Sequence, residues 1–212
     1  MKIALIGASG FVGSAILNEA VSRGHSVTAI VRNTSKVAAH PQVTAVAVDA
    51  QDPQALADVL KGHDRVISAY NPGWSAPDIH DQYLKGASAI VEAANATHSW
   101  LLVVGGAGSL EIAPGVQLVD TPDFPAEWKQ GALAARDGLT ALRREAALDW
   151  RFVSPPVFLE PGEKRGGYRL GGDQVLFSGD KPAGITVGDL ANAVLNEAEQ
   201  PAHLRQRFTL GY

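Results

Sequence analysis

The amino terminus of the chain combines three features in immediate succession. Residues 2–6, KIALI, form an apolar run of strand length, residues 7–13, GASGFVG, form a glycine-rich turn, and a helical pattern follows to about Arg23. A buried strand that leads through such a turn into a helix is typical of a dinucleotide-binding site. The free N–H groups at the start of the helix, together with its dipole, favour phosphate. This segment therefore predicts a dinucleotide-binding α/β fold.

Each glycine of the turn has its own physical role. Gly7 allows the chain to turn sharply off the strand, Gly10 lets the backbone approach a pyrophosphate, and Gly13 lets the helix pack closely on the sheet. The spacing is Gly-x-x-Gly-x-x-Gly rather than the standard Gly-x-Gly-x-x-Gly, and a tight turn without a ligand is the alternative interpretation. The residues predicted to bind the cofactor here are Gly7, Ser9, Gly10, Phe11, Val12 and Gly13.

The composition of the 212 residues excludes several classes of protein. The net charge of −4 and the lack of a basic block argue against a nucleic-acid surface. The absence of cysteine excludes disulfides, thiolate metal sites and iron–sulfur clusters, and the six histidines show no metal-ligand spacing. No apolar run approaches the roughly 20 residues that cross a bilayer, and no signal peptide is recognisable. We expect a cytoplasmic monomer or homodimer with no metal, membrane or nucleic-acid partner.

Strand-like and helical patterns alternate along the chain. The predicted strands are residues 2–6, 26–31, 43–48, 65–70, 100–104, 149–153 and 206–210. The predicted helices cover about 11–23, 54–60, 78–96 and 128–147, and a last helix begins near residue 186. This alternation predicts a doubly wound, mostly parallel Rossmann sheet. Residues 160–182 are glycine-rich with two short strand candidates, 168–170 and 175–177. We therefore expect one domain over 1–212, in which residues 155–185 form a small substrate-side lobe over the site.

The end of the second predicted strand bears on which dinucleotide binds. In an NAD-binding unit, an Asp or Glu about 20 residues after the glycines would hold the ribose 2′-hydroxyl. This strand ends instead in Arg32, with Ser35 and Lys36 shortly after it. Arginine binds phosphate with two parallel hydrogen bonds. The sequence therefore favours NADP(H) over NAD(H), with a solvated loop arginine as the alternative.

The residues that follow the other strands complete the predicted cofactor site, because ligands of such sheets lie beyond the carboxyl ends of the strands. Asp49 is placed to reach the adenine amino group, although an ordinary loop carboxylate is the alternative. Ala69 and Tyr70 follow the fourth strand, where the nicotinamide and its ribose are expected. Gly105 and Pro155 follow the next two strands on that side.

Together these motifs resemble the extended and atypical short-chain dehydrogenase/reductase superfamily. The most similar branch is that of the NAD(P)H-binding, NADH-flavin reductase-like proteins, which are related to biliverdin/flavin reductases and NmrA-type sensors. The resemblance covers nearly the whole chain and rests on residues 7–13, 31–33, 48–49, 105–110, 149–156, 185–191 and 207–209. It implies a Rossmann fold that binds a nicotinamide cofactor and a reductase or sensor activity.

The chain departs from that superfamily at its catalytic pair. The wider superfamily uses a Tyr-x-x-x-Lys pair on the helix after the fifth strand, in which lysine lowers the tyrosine pKa. None of the four tyrosines here is followed by lysine four residues later. Lys129 stands where such a lysine would fall, but Pro125 occupies the tyrosine position. Alcohol–ketone redox by that route, and sugar epimerase or dehydratase chemistry, are therefore not expected.

Reduction of a flavin, a quinone or a similar planar acceptor does not need the pair, because its protons can come from water. We therefore expect an NADPH-dependent reductase of such an acceptor. The alternatives are a non-catalytic NADP(H)-binding redox sensor of the NmrA type, and a biosynthetic tailoring reductase or isomerase that uses another acid. Tyr70, His80 and Ser109 are the catalytic candidates. The predicted acceptor pocket consists of Tyr70, Trp74, His80, Ser109 and Phe158, each of which has ordinary packing or a loop position as its alternative.

Overall fold

The computed structural model describes all 212 residues, and fourteen strands and five α-helices alternate along them. The strands are β1 (Lys2–Ile6), β2 (Ser26–Val31), β3 (Val43–Ala47), β4 (Arg65–Ser68), β5 (Trp100–Val104), β6 (Glu111–Ala113), β7 (Val116–Gln117), β8 (Asp149–Ser154), β9 (Phe158–Glu160), β10 (Arg169–Gly171), β11 (Phe177–Ser178), β12 (Lys181–Pro182), β13 (Gly184–Thr186) and β14 (Arg207–Gly211). The helices are α1 (Phe11–Ser22), α2 (Pro53–Leu60), α3 (Ile79–Ala96), α4 (Ala126–Leu142) and α5 (Val187–Glu199). None of these helices is both long and apolar enough to cross a membrane.

Eight strands form the central sheet, in the order β10-β14-β8-β5-β4-β1-β2-β3. Every neighbouring pair is parallel except β10 and β14, which are antiparallel. The chain runs outward from β1 through β2 to β3 and then crosses back to β4 on the other side of β1, so the strand order reverses between β1 and β4. Ligands of open α/β sheets bind at such a reversal. The predicted doubly wound, mostly parallel Rossmann sheet is confirmed.

Helices cover both faces of this sheet. One face packs against α1 and α5 in a cluster of 23 buried residues, and the other packs against α2, α3 and α4 in a cluster of 18. Successive side chains of a strand point to opposite faces. In β1, Leu5 therefore packs toward α1 while Ile6 packs toward α2 and α3. Because both faces are buried, the central strands are continuous apolar runs rather than alternating ones.

The predicted helix starts are confirmed at α2 and α5, where side chains cap the first turn. Asp52 Oδ1 accepts the N–H of Ala55 at 3.0 Å, and Thr186 Oγ1 accepts the N–H of Asp189 at 3.2 Å. Such caps satisfy backbone donors that have no partner within the helix. These two helices therefore begin where the sequence placed them, within one residue.

Two predicted elements of the central sheet and its helices differ from the structure by two residues or more. The fourth strand ends at Ser68 rather than residue 70, because the Tyr70 N–H turns back to Ser68 Oγ at 3.3 Å and leaves the sheet. The fourth helix spans Ala126–Leu142 rather than 128–147. It ends early because the chain must turn within a few residues to bury Leu148 and enter β8.

The segment 155–185 contains only short strands and contributes a single residue, Ile185, to the two buried clusters. Within it, β9 pairs with β13, β11 pairs with β12, and β10 joins the edge of the central sheet. The predicted strands 168–170 and 175–177 correspond to β10 and β11, displaced by one or two residues. The Asp189 carboxylate ties this lobe to α5, because it accepts the N–H groups of Arg165 and Gly166 at 3.0 and 2.9 Å.

Candidate functional site

The turn between β1 and α1 contains two positions that admit only glycine. Gly7 has φ = +79°, and a Cβ there would lie 2.6 Å from the carbonyl oxygen of Ala69. A Cβ on Gly13 would overlap the carbonyl oxygen of Gly7. A side chain at either position would force β1 away from the end of β4, or α1 away from the turn. The sharp turn expected at Gly7 and the close packing expected at Gly13 are therefore both built into this segment.

Gly10 is different, because the protein itself leaves its side open. It is exposed, and the nearest atom to a Cβ there would be the Gly7 carbonyl oxygen at 3.4 Å. Gly10 precedes α1, which has no side-chain cap and no acidic residue in its first turn. The first N–H groups of α1, beside the exposed residues Ser9 and Phe11, therefore remain available to an anion. This geometry fits the pyrophosphate of a dinucleotide.

The loop after β2 presents an unpaired cation on the same edge of the sheet. Arg32 is exposed and makes no hydrogen bond or ion pair within the chain. The turn behind it is fixed by Asn33, whose Oδ1 accepts the N–H of Ser35 at 3.0 Å and its hydroxyl at 2.8 Å. Across the neighbouring strand end, Asp49 Oδ1 accepts the N–H of Gln51 at 3.0 Å. Arg32 is thus placed and free to meet a phosphate.

The ends of β4, β5 and β8 continue this edge on the other side of β1. Ala69 donates its N–H to Ile6 at 2.9 Å, and Gly105 donates its N–H to Val153 at 2.9 Å. A Cβ on Gly105 would overlap the ring of Phe152, so glycine is needed where the chain leaves β5. Pro155 is buried directly after β8. The strand-end positions predicted from sequence therefore lie in one row.

Tyr70 points its side chain toward α3. Its hydroxyl donates to the carbonyl of Gln82 at 2.9 Å, and its ring lies where a Cβ of Gly86 would be. Burial raises the pKa of Tyr70. The Tyr70 hydroxyl proton is thus already donated to a carbonyl group of the chain. Only the backbone and the ring of Tyr70 remain for contact with a cofactor.

His80 joins α3 to α4 away from the strand ends. Its Nε2 lies 3.0 Å from Asp137 Oδ2, and its Nδ1 lies 3.3 Å from Asp81 Oδ1. The hydrogen bond with Asp137 raises the pKa of His80. A cavity of about 350 Å³ beside it is lined only by residues 77–81 and by Gln130, Leu133 and Asp137. None of the predicted cofactor-binding residues lines this cavity.

Ser109 belongs to a buried polar cluster that also contains an arginine. Its Oγ accepts from Arg207 Nη1 at 3.2 Å, and the same nitrogen donates to Ser154 Oγ at 3.2 Å. Asp173 Oδ1 accepts from Arg207 Nε at 2.7 Å. The sequence analysis missed Arg207, although an arginine inside the apolar strand β14 is an unusual feature that could have drawn notice.

Large aromatic side chains stay exposed near the loops of this edge. Trp74 is 62% exposed and Phe158 is 51% exposed, so neither is an ordinary packing residue. The indole of Trp74 rests on Gly131 of α4, where a Cβ would come within 2.7 Å of Cζ3. Trp128 lies one turn earlier on α4 and is 53% exposed. Trp128 was not among the residues predicted for the acceptor pocket. Its position three residues before Gly131, and so on the same side of α4, is the signal that could have indicated it.

Known proteins similar to this chain share its fold over its full length. A family model described as NAD(P)H-binding matches residues 7–201. The uncharacterized protein YwnB of Bacillus subtilis (strain 168) is 41% identical over 214 residues, which cover 99% of this chain and 98% of YwnB.

Two solved structures are similar to a comparable degree. A Bacteroides thetaiotaomicron protein provisionally named an epimerase is 41% identical, with a TM-score of 0.93 and coverage of 100% of this chain and 96% of that one. SP1627 of Streptococcus pneumoniae, provisionally named an NADH-flavin reductase, is 39% identical, with a TM-score of 0.89 and coverage of 100% and 99%.

Proposed function

Because the chain belongs to the family of NAD(P)H-binding proteins, we propose that it is an NADPH-dependent reductase that passes hydride to a flavin, a quinone or a similar planar acceptor. The observation that carries the proposal is the open carboxyl edge of the sheet. On one side of this edge lie the start of α1, which has no side-chain cap, and the unpaired Arg32. On the other side lie the exposed aromatic rings of Trp74 and Phe158, neither of which carries a phenol hydroxyl. The cytoplasmic, monomeric or homodimeric form expected from the sequence is part of this proposal.

The residues of the edge fit the two halves of the cofactor. Gly10 and the first N–H groups of α1 would hold the pyrophosphate, since no side chain competes for them. Arg32 would hold the 2′-phosphate that distinguishes NADPH from NADH. Asp49 would bind the adenine amino group. Ala69, Tyr70, Gly105 and Pro155 would line the ribose and nicotinamide half. When bound, NADPH supplies the hydride.

The chain offers no tyrosine acid to the acceptor. The Tyr70 hydroxyl donates to Gln82, and burial raises the pKa of Tyr83 to about 12. Pro125 precedes α4 in place of the superfamily's tyrosine, and Lys129 is exposed on that helix. A suitable acceptor is therefore one that takes its protons from water. Electron-poor planar rings meet this condition, and exposed indoles such as that of Trp74 stack well on them.

The names of the similar proteins agree with this proposal to different degrees. SP1627, at 39% identity, is provisionally named an NADH-flavin reductase, which supports the reductase class. The Bacteroides thetaiotaomicron protein is provisionally named an epimerase. Epimerase chemistry in the superfamily relies on the tyrosine–lysine pair that this chain lacks, so the missing pair favours the reductase.

Oxidation of NADPH by the purified protein tests the proposal directly. FMN, FAD and a set of quinones serve as acceptors, and NADH replaces NADPH in a parallel series. We expect turnover with at least one planar acceptor and a preference for NADPH. Rates no higher than the uncatalysed background across the whole panel would reject the reductase.

A second candidate is a non-catalytic protein that senses the NADP redox state. The engaged hydroxyl of Tyr70 and the absent pair favour it, because binding alone needs no acid. Calorimetry with NADP and with NADPH, together with a pull-down, separates the two candidates. A sensor requires unequal affinities and a partner protein, so equal affinities with no partner would count against it.

A further inference from the structure

Arg207 carries a positive charge into the interior beside the ends of β5 and β8. Its side chain is only 2% exposed. Burial holds the pKa of the guanidinium below its usual value, although the Asp173 carboxylate opposes this shift. Asp173 Oδ1 lies 2.7 Å from Nε and 2.5 Å from Nη2. Removing a guanidinium from water is costly even when a carboxylate pairs with it, so this placement calls for a physical reason.

The remaining donors of Arg207 define the orientation of two serine hydroxyls. Nη1 lies 3.2 Å from both Ser109 Oγ and Ser154 Oγ, and Nη2 lies 3.4 Å from the Ser109 carbonyl oxygen. A guanidinium only donates hydrogen bonds, so both serine oxygens act as acceptors toward it. Each hydroxyl therefore keeps its own proton to donate. Neither proton has an acceptor within the chain, although buried donors are almost always paired.

Asp173 holds the guanidinium in place and is itself held by two further contacts. Asp173, in the lobe, accepts Arg143 Nη2 from the end of α4 at 2.6 Å, and its backbone carbonyl accepts Arg207 Nη2 at 3.1 Å. The same carbonyl accepts the N–H of Glu111, which follows the Ser109 turn, at 2.8 Å. Arg207 thus cannot turn away from Ser109 unless its contacts with Asp173 and Ser154 are broken.

We propose that Arg207 is a positioning residue, which holds Ser109 so that its hydroxyl, which keeps its proton, donates a hydrogen bond to the acceptor atom that becomes negative on reduction. This inference rests on the proposed function. An acceptor that takes a hydride gains two electrons and one proton, so it carries one extra negative charge until water supplies the second proton. Ser109 is 3% exposed, and a hydrogen bond to such a charge is stronger in dry surroundings than in water. Arg207 lies beside the Ser109 hydroxyl as the lysine of the absent pair lies beside the tyrosine hydroxyl: in both, a cation acts on a hydroxyl group that donates to the substrate.

A double-mutant cycle tests whether Arg207 acts through Ser109. The variants are Ser109→Ala, Arg207→Met, their combination and Arg207→Lys, and kcat is measured with NADPH and FMN. We expect Ser109→Ala and Arg207→Met each to lower kcat by about 10- to 100-fold. In the Ser109→Ala background, Arg207→Met should cost less than about twofold more, because the two residues act as one unit. Arg207→Lys should recover part of the loss, because it keeps the charge without the planar fork.

A binding measurement without NADPH gives an independent readout. Calorimetry under anaerobic conditions compares oxidised FMN with dithionite-reduced FMN, whose isoalloxazine ring carries an additional negative charge. Ser109→Ala and Arg207→Met should weaken binding of reduced FMN more than that of oxidised FMN, and they should leave the Kd of NADPH within about twofold. Arg151→Met is the matched control. Arg151 is equally buried and paired with Asp149, but it lies away from Ser109, so its loss should lower the Tm without changing kcat.

The outcomes separate this inference from the proposed function. Wild-type protein that oxidises no NADPH with any acceptor refutes the function. Active wild-type protein with additive losses in the cycle, or with unchanged kcat in Ser109→Ala, refutes the role of Arg207 alone. If Arg207→Met does not fold, Arg207→Lys in both Ser109 backgrounds decides the question. Equal weakening of both forms of FMN also overturns the inference.

Discussion

At the scale of single residues, the two glycines that flank the start of α1 separate folding from binding. A Cβ on Gly10 meets no atom closer than 3.4 Å, whereas a Cβ on Gly13 overlaps the Gly7 carbonyl. We therefore expect Gly10→Ala to leave the Tm nearly unchanged and to weaken NADPH at least tenfold, because the methyl group blocks the pyrophosphate. Gly13→Ala should instead lower the stability, by roughly 1–3 kcal/mol for an overpacked site. Thermal unfolding measures the Tm of both variants, and calorimetry measures their Kd for NADPH. If Gly10→Ala bound NADPH as tightly as the wild type, the pyrophosphate would not lie against Gly10.

Arg32 decides the predicted preference between the two dinucleotides. Since its guanidinium is exposed and unpaired, its charge pair with a 2′-phosphate would be partly hydrated. We expect Arg32→Ala to weaken NADPH by about 2 kcal/mol, or roughly 30-fold, and to leave NADH nearly unchanged. Arg144→Ala, another exposed arginine, is the control. Equal effects of Arg32→Ala on the two cofactors, measured by calorimetry, would show that Arg32 does not contact the phosphate.

The site residues that the sequence could predict are those with a local signal. Gly7, Gly13 and Arg32 follow directly from the order of strand, turn and helix, and their packing or exposure fits the roles assigned to them. Arg207 has no such signal, because its partners Asp173 and Ser109 lie 34 and 98 residues away along the chain. The direction of Tyr70 was equally hidden. It depends on a carbonyl of α3 and on the space left by Gly86, and neither feature is visible in the strand itself.

At the scale of elements, the absence of a side chain at Gly131 of α4 leaves space for the indole of Trp74. Gly131→Ala removes an unfavourable helix residue, worth about 1 kcal/mol, but places a methyl group 2.7 Å from Trp74 Cζ3. An exposed ring can move aside cheaply, so we expect little loss of stability, a change in tryptophan fluorescence and a several-fold rise in the KM for FMN. Lys129→Ala, on the exposed surface of the same helix, should change none of these. An unchanged KM in Gly131→Ala would remove Trp74 from the acceptor pocket.

The elements themselves were largely predictable because the strands are short and mostly apolar and the helices between them show helical spacing of apolar residues. The remaining errors lie where tertiary contacts set a boundary. Ser68 ends β4 through its own hydroxyl, and the burial of Leu148 cuts α4 short. The lobe was predicted only in outline, because β9 and β13 stabilise each other across 23 intervening residues without a buried core of their own. Short strands of this kind leave no periodicity to detect.

At the scale of the whole molecule, Asp189 joins the lobe, α5 and the last residue of the chain. Its carboxylate accepts the N–H groups of Arg165 and Gly166, and Oδ2 also accepts the Tyr212 hydroxyl at 2.6 Å. Burial alone would raise the pKa of Asp189, but these hydrogen bonds outweigh it and hold the pKa below its ordinary value. The ionised carboxylate is therefore part of what ties the lobe to α5.

The sign of the pH dependence follows from this lowered pKa. A group whose pKa falls on folding stabilises the protein fully above its unfolded value, here 3.8, and loses that contribution as the pH falls through the folded value. His80 acts in the opposite direction. Its raised pKa stabilises the fold below its unfolded value of 6.5, and this contribution is lost as the pH rises through the folded value. Stability should therefore fall in acid, as the Asp189 carboxylate is protonated, and fall again as the pH rises above 6.5 and His80 loses its proton.

Asp189→Asn tests the acid limb of this dependence. The amide cannot accept all the hydrogen bonds of the carboxylate, so we expect a loss of about 1.5–3 kcal/mol at pH 7. We also expect a smaller further loss than in the wild type as the pH falls below about 4. Urea unfolding across this pH range measures both effects. Asp123→Asn, at an exposed aspartate that makes no hydrogen bond or ion pair within the chain, should match the wild type throughout. If Asp189→Asn kept the full acid dependence, other carboxylates would have to hold the lobe in place.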